Sequence, residues 1–199
     1  MKFLFLIFLA FIVFTSCSKE NRNYKNYIKI NSDLIGDLTK DSSNKIQYNP
    51  PKEWNKLDPV MFKMVMDQIG ENLIQGGGVS TNINNIYLNR NDGAFQIVSN
   101  VFFAGDTDFK SAKEMYYDML VKKIDTSQLK ISNYIKDGFK IMQIQMNQFN
   151  TISIKLLIDN NYGSFLEFDY IIPKDTYKKE INSVESSIAS ILKYQNNSN

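Results

Sequence analysis

The chain has no histidine, and it has one cysteine and one tryptophan among 199 residues. Without histidine it lacks the side chain that most often acts as a general base near neutral pH and most often ligates metals. A single thiol closes no internal disulfide, and a free thiol is a hazard in an oxidising compartment, so Cys17 needs another explanation. Neither sign of charge dominates: the net charge is +2, and Lys2 sits in what reads as a removable leader. Near neutrality argues against nucleic acid as a partner and against a polybasic membrane patch. No apolar run reaches the roughly 20 residues that a spanning helix needs. The run Phe3 to Phe14 is twelve residues long.

That run follows Lys2 and ends in Phe14-Thr15-Ser16-Cys17. A positive start, a short apolar core and small residues before a cleavage point form the secretory pattern. Thr15-Ser16-Cys17 resembles the lipobox of bacterial lipoproteins, although Phe14 stands where leucine is usual. The resemblance implies residues 1–16 as signal peptide and Cys17 as the acylated residue, carrying palmitate or a similar chain. One acyl chain anchors only marginally, at about 0.8 kcal/mol per buried methylene, whereas two or three hold permanently. Ser18 in place of Asp implies the outer membrane, with its periplasmic and surface faces both open. Ser18-Lys19-Glu20 resembles in part the charged tags of surface lipoproteins in Bacteroidetes.

Residues 17–44 read as lipidated cysteine and tether, because their apolar residues follow no sustained period and offer little burial to offset ordering. Leu34, Ile35 and Leu38 leave a short docking helix open as an alternative. A single domain is expected over 45–194, with a tail at 195–199. A short strand at 45–49 runs into Pro50-Pro51, which cannot donate to a ladder. Asp58-Pro59 reads as a helix cap followed by proline at the first helical position, with Phe62, Val65, Met66, Ile69 and Leu73 at helical spacing. Gly76-Gly77-Gly78 ends that element.

The period then changes to two. Strands are expected at 84–90 and 94–103 around the turn Asn91-Asp92-Gly93, with Phe95, Ile97, Val101 and Phe103 on one face. A helix follows at about 109–124, capped by Asp108 or by a Ser111/Glu114 capping box. Four further strands alternate: Leu129-Ile131-Ile135, Met142-Ile144-Met146, Ile152-Ile154-Leu156-Ile158 and Leu166-Phe168-Tyr170-Ile172. Asp137-Gly138 and Asn160 to Gly163 form turns. Tyr177, Ile181, Val184, Ile188, Ile191 and Leu192 mark a last helix. The expected class is α+β, a mainly antiparallel sheet of about six or seven strands flanked by helices.

Ile46-Gln-Tyr48 leading into Pro51-Lys-Glu-Trp54, the long meander ending in Ile172-Pro173, and the closing helix from Tyr177 to Ile191 together resemble the PsbP-like superfamily. The resemblance covers residues 45–194. It implies an α/β/α sandwich and a binding or assembly role, and it carries over no catalytic motif, no metal site and no cofactor.

Chemistry-bearing patterns are sparse. Asp106-Thr107-Asp108 begins like a calcium loop, but Phe109 and Lys110 stand where oxygen ligands belong, so a helix cap is the better reading. The glycines at 76–78 follow a helix and lack the GK[ST] of a phosphate loop. Glu167 and Asp169 share one strand face; acid–base work would need one of them raised in a cleft, and a solvated face, or one pairing with a helix, is the better reading. Ser183, Ser186, Ser187 and Ser190 line the last helix without a base to activate them. Tyr48 and Trp54 read as buried under the first helix or as a recognition patch, since aromatic side chains are enriched in interfaces; with Gly76, Gly77 and Gly78 they form the candidate interaction surface. The expected function is a non-catalytic, lipid-anchored factor that binds another envelope protein. The alternative is a carrier of a small apolar ligand between sheet and helix, lined by Phe95, Phe102, Met142, Met146 and Phe168.

Overall fold

The computed structural model describes residues 29–69, 78–105, 107–122, 124–161 and 165–194. Cys17, Leu73, Gly76, Gly77 and Asp106 lie outside them. Ten strands and three α-helices are present among the described residues. In chain order they are β1 (Thr39–Asp41), β2 (Ile46–Tyr48), β3 (Asn55–Lys56), α1 (Pro59–Ile69), β4 (Val79–Leu88), β5 (Phe95–Phe103) and α2 (Phe109–Val121). Then come β6 (Leu129–Lys136), β7 (Phe139–Asn147), β8 (Thr151–Asp159), β9 (Phe165–Pro173), α3 (Tyr177–Ser190) and β10 (Leu192–Lys193).

Seven strands form one antiparallel sheet in the order β3-β4-β5-β9-β8-β7-β6. Local chemistry sets most of its connections. Asp137 and Gly138 both take positive φ, 48° and 76°, the handedness that a two-residue hairpin loop requires between twisted strands. Asp58 accepts hydrogen bonds from the amides of Val60 and Met61, and Asp108 accepts one from Ser111, so each caps the helix it precedes.

Both faces of this sheet are covered. On one face α3 and a second sheet enclose Phe168, Tyr170, Leu156, Ile141, Val184 and Ile188. On the other, α2 lays Ala112, Tyr116 and Leu120 against Val101, Met142, Ile144, Met146 and Leu157. Beside α2 on that face, α1 sets Phe62, Val65 and Met66 against Ile83, Ile86 and Ile97.

Four expectations are corrected. The tether ends earlier than residue 44: β1 pairs with β2, Gly36 donates to the Pro50 carbonyl, and Ser32–Leu34 form a 3-10 turn. Backbone pairing, not an apolar stripe, holds this segment, so its periodicity gave no sign of it. The strand at 46–48 does not join the large sheet but sits between β1 and β10 in a three-stranded sheet of its own. The last helix stops at Ser190, because Ile191 turns extended and Leu192–Lys193 pair with β2. The strand expected at 84–90 starts at Val79, and a register shift between Ile83 and Asn85 breaks the alternation that would have revealed its first half.

Candidate functional site

Glu167 and Asp169 are not on a solvated face. They are 4% and 6% exposed, and α2 covers them. Strand pairing places Lys155 of β8 directly opposite Asp169 of β9, both pointing toward α2. The Lys155 ammonium donates to Glu167 Oε1 at 2.8 Å and to Asp169 Oδ2, while Ser153 donates to Asp169 Oδ1 at 2.6 Å. Burial alone would push the Lys155 ammonium down, but Asp169 and Glu167 hold it well above the usual lysine range. Tyr116 of α2 closes the cluster; burial and the neighbouring Glu167 charge push its hydroxyl up. The buried ammonium and both carboxylates thus find their partners inside the protein, and the ensemble works as a structural pin under α2.

The opposite face carries a second polar cluster. Trp54 is 3% exposed and donates from Nε1 to Glu180 Oε2 at 2.7 Å. Asn89 reaches the other Glu180 oxygen at 3.4 Å, and Lys179 pairs with Asp92. Burial raises the Glu180 carboxyl, partly offset by the Trp54 donor. The Tyr48 hydroxyl lies 3.2 Å from that of Tyr87 and accepts from Asn85. Ser187 bridges the Tyr170 hydroxyl and the Asn49 carbonyl, and Ser190 accepts from the Asn49 amide. Ser187 and Ser190 of the last helix are therefore buried locks for the Asn49–Pro50 corner. Tyr48 and Trp54, read either as a recognition patch or as buried under the first helix, are core, packed with the last helix instead. Gly78 takes a φ of +81° at the start of β4, and a Cβ there would meet the Ala104 Cβ at 3.3 Å, so its role is to turn the chain.

Among the residues expected to line a carrier pocket, Met142, Met146 and Phe168 are sealed in the core. Phe102 instead opens onto a groove of about 500 Å³ at the end of the sheet. Phe103, Phe109 and Phe165 share its wall, and Phe103 and Phe165 meet edge to face with centroids 5.1 Å apart. Lys140 and Asp159, 3.5 Å apart, stand at its rim.

Neither a family model nor a curated protein matches the chain. Among solved structures, the solution structure of cyanobacterial PsbP (CyanoP) from Synechocystis sp. PCC 6803 matches with a TM-score of 0.50 and 13% identity, covering 88% of this chain and 100% of that one. This chain has a PsbP-like fold. At that identity the likeness concerns architecture alone. In this chain's PsbP-like fold, each polar cluster sits where a helix crosses one face of the central sheet.

Sequence reasoning missed Lys155 and Glu180. A signal for the first was present. Leu157 is apolar on the same face as Lys155, which marks that face as covered and leaves its carboxylates in need of a counter-charge. Glu180 carried no such signal, because its partner Trp54 is 126 positions away.

Proposed function

We propose that the protein is a non-catalytic factor of the cell envelope, held on the outer membrane through acylated Cys17 and binding another envelope protein. The observation that carries the non-catalytic part is the sealing of Lys155, Glu167 and Asp169. Glu167 and Asp169, the carboxylate pair that acid–base work would need in a histidine-free chain, share the single Lys155 ammonium beneath α2. An acid–base pair in an active site needs a raised or lowered group facing a cleft. Here Glu167, Asp169 and Lys155 are 4%, 6% and 9% exposed. The anchor rests on the leader ending at Cys17, the single cysteine. Among the described residues no helix is long and apolar enough to cross a membrane.

Two measurements test this reading. Cys17→Ala should abolish incorporation of labelled palmitate and release the protein from sedimenting membranes. Unchanged sedimentation with normal labelling would refute the anchor. In-cell crosslinking of the anchored protein should recover one specific envelope protein.

The groove at Phe102, Phe103, Phe109 and Phe165 favours a second reading, a carrier of a small apolar ligand. Native mass spectrometry of the purified full-length protein distinguishes the two. A stoichiometric lipid or small molecule, lost on Phe109→Asp, would favour the carrier.

A further inference from the structure

The two edges of the large sheet are finished differently. At one, β4 carries a register shift and is capped by the two-residue β3. Both devices blunt an edge against added strands. At the other, the eight-residue β6 pairs with β7 alone, and among the described residues no strand covers its outer side. Its outward amides and carbonyls are therefore available to an added strand. The pleat divides its side chains cleanly. Ile131 and Ile135 point to the α2 side and are 42% and 40% exposed, while Lys130 and Lys136 point to the other side. Lys130 is exposed, and Lys136, half-buried, also donates to the Ile191 carbonyl. The strand carries no carboxylate, and a third lysine, Lys113 of α2, donates to Asn133 in its middle.

We infer that β6 docks an extended segment of a partner protein whose side chains alternate between apolar residues, which meet Ile131 and Ile135, and acidic residues, which meet Lys130 and Lys136. The inference rests on the reading of this chain as a protein-binding factor and names the surface and the partner chemistry. Strand rise puts the two lysines about 20 Å apart, so acidic residues six positions apart would face both at once. A second copy fits less well. The antiparallel self-pairing that sets Ile131 opposite Ile135 also sets Lys130 opposite Lys136, and directly opposed like charges are destabilising.

The test is hydrogen–deuterium exchange of the full-length protein in detergent micelles, with two blocked eight-residue peptides. In one, valine alternates with glutamate; in the other, with lysine. The glutamate peptide should slow exchange across residues 129–136 several-fold while the lysine peptide leaves it unchanged, and Lys130→Glu, which sets one charge of each sign on that face, should abolish that preference. Equal effects of the two peptides, or none, would overturn the inference. So would a β6 already protected without peptide, whether concentration-dependent (a second copy) or not (this chain's own N-terminal segment). A photoreactive residue in cells separates failure of the surface from failure of the binding role. Capture from position 60 but not from 131 sinks the β6 assignment and leaves the factor standing, whereas capture from neither sinks both. Capture at 131 supports it only if the joined residue lies in an alternating acidic–apolar segment.

Discussion

Lys155 illustrates how a single buried charge holds or breaks a face. It is the counter-charge that two buried carboxylates share. Lys155→Met leaves both without a counter-charge and should cost about 3–5 kcal/mol, read as a lower urea midpoint. Combining Lys155→Met with Glu167→Leu and Asp169→Val should recover most of that loss, since apolar residues of similar volume often substitute for a buried ionic cluster. A single Lys155→Met variant as stable as wild type would mean that water reaches the cluster. Glu180 makes the complementary case. Burial raises its carboxyl above the ordinary 4.5, so its stabilising contribution is complete below that value and fades as pH rises through the folded pKa. Glu180→Gln should therefore gain stability relative to wild type as pH climbs from about 4 to 7. Trp54, the single tryptophan, donates to this carboxyl, and its fluorescence should follow the same titration in wild type and lose it in Glu180→Gln.

At the scale of elements, the informative piece is β1 with the turn before it. Gly36 donates to Pro50, Lys52 donates to Leu34, Asn49 donates from its side chain to Gly36, and the Thr39 hydroxyl lies 3.0 Å from that of Tyr87. None of these contacts depends on an apolar stripe. Each of these four hydrogen bonds contributes about 0.5–1.5 kcal/mol net, so a chain starting at residue 45 should be less stable than one starting at residue 29 by about 2–6 kcal/mol. That difference should lower the melting temperature by roughly 10 °C. Equal melting temperatures would make the segment a passive tether after all.

Across the whole molecule, the two sheets do not form separable units. Ile46 and Tyr48 of the small sheet share one core with Phe168, Leu156 and α3, and the Tyr48 and Phe168 rings meet with centroids 4.9 Å apart. Unfolding by urea should therefore be a single transition. Trp54 fluorescence, which reports the corner between the sheets, should superimpose on far-UV circular dichroism, which reports the large sheet. Two separated midpoints would show that the small sheet melts by itself.

What the sequence determined by itself is whatever neighbouring residues settle between them. Asp58 and Asp108 name their helix starts, Asp137-Gly138 names its turn, and alternation in 139–172 names three strands and their apolar faces. From these follow the class and the antiparallel meander with one apolar face per strand; that both faces are covered did not follow. Tertiary structure alone decided that β2 leaves the large sheet for β1 and β10, that Trp54 is a buried donor to Glu180 rather than a recognition residue, and that Glu167 and Asp169 are covered. The reason is physical. Periodicity reports that a residue has an apolar side to hide, but what hides it comes from a segment far away in sequence. A backbone edge or a buried charge carries no period at all, so its partner is settled only when the layers close.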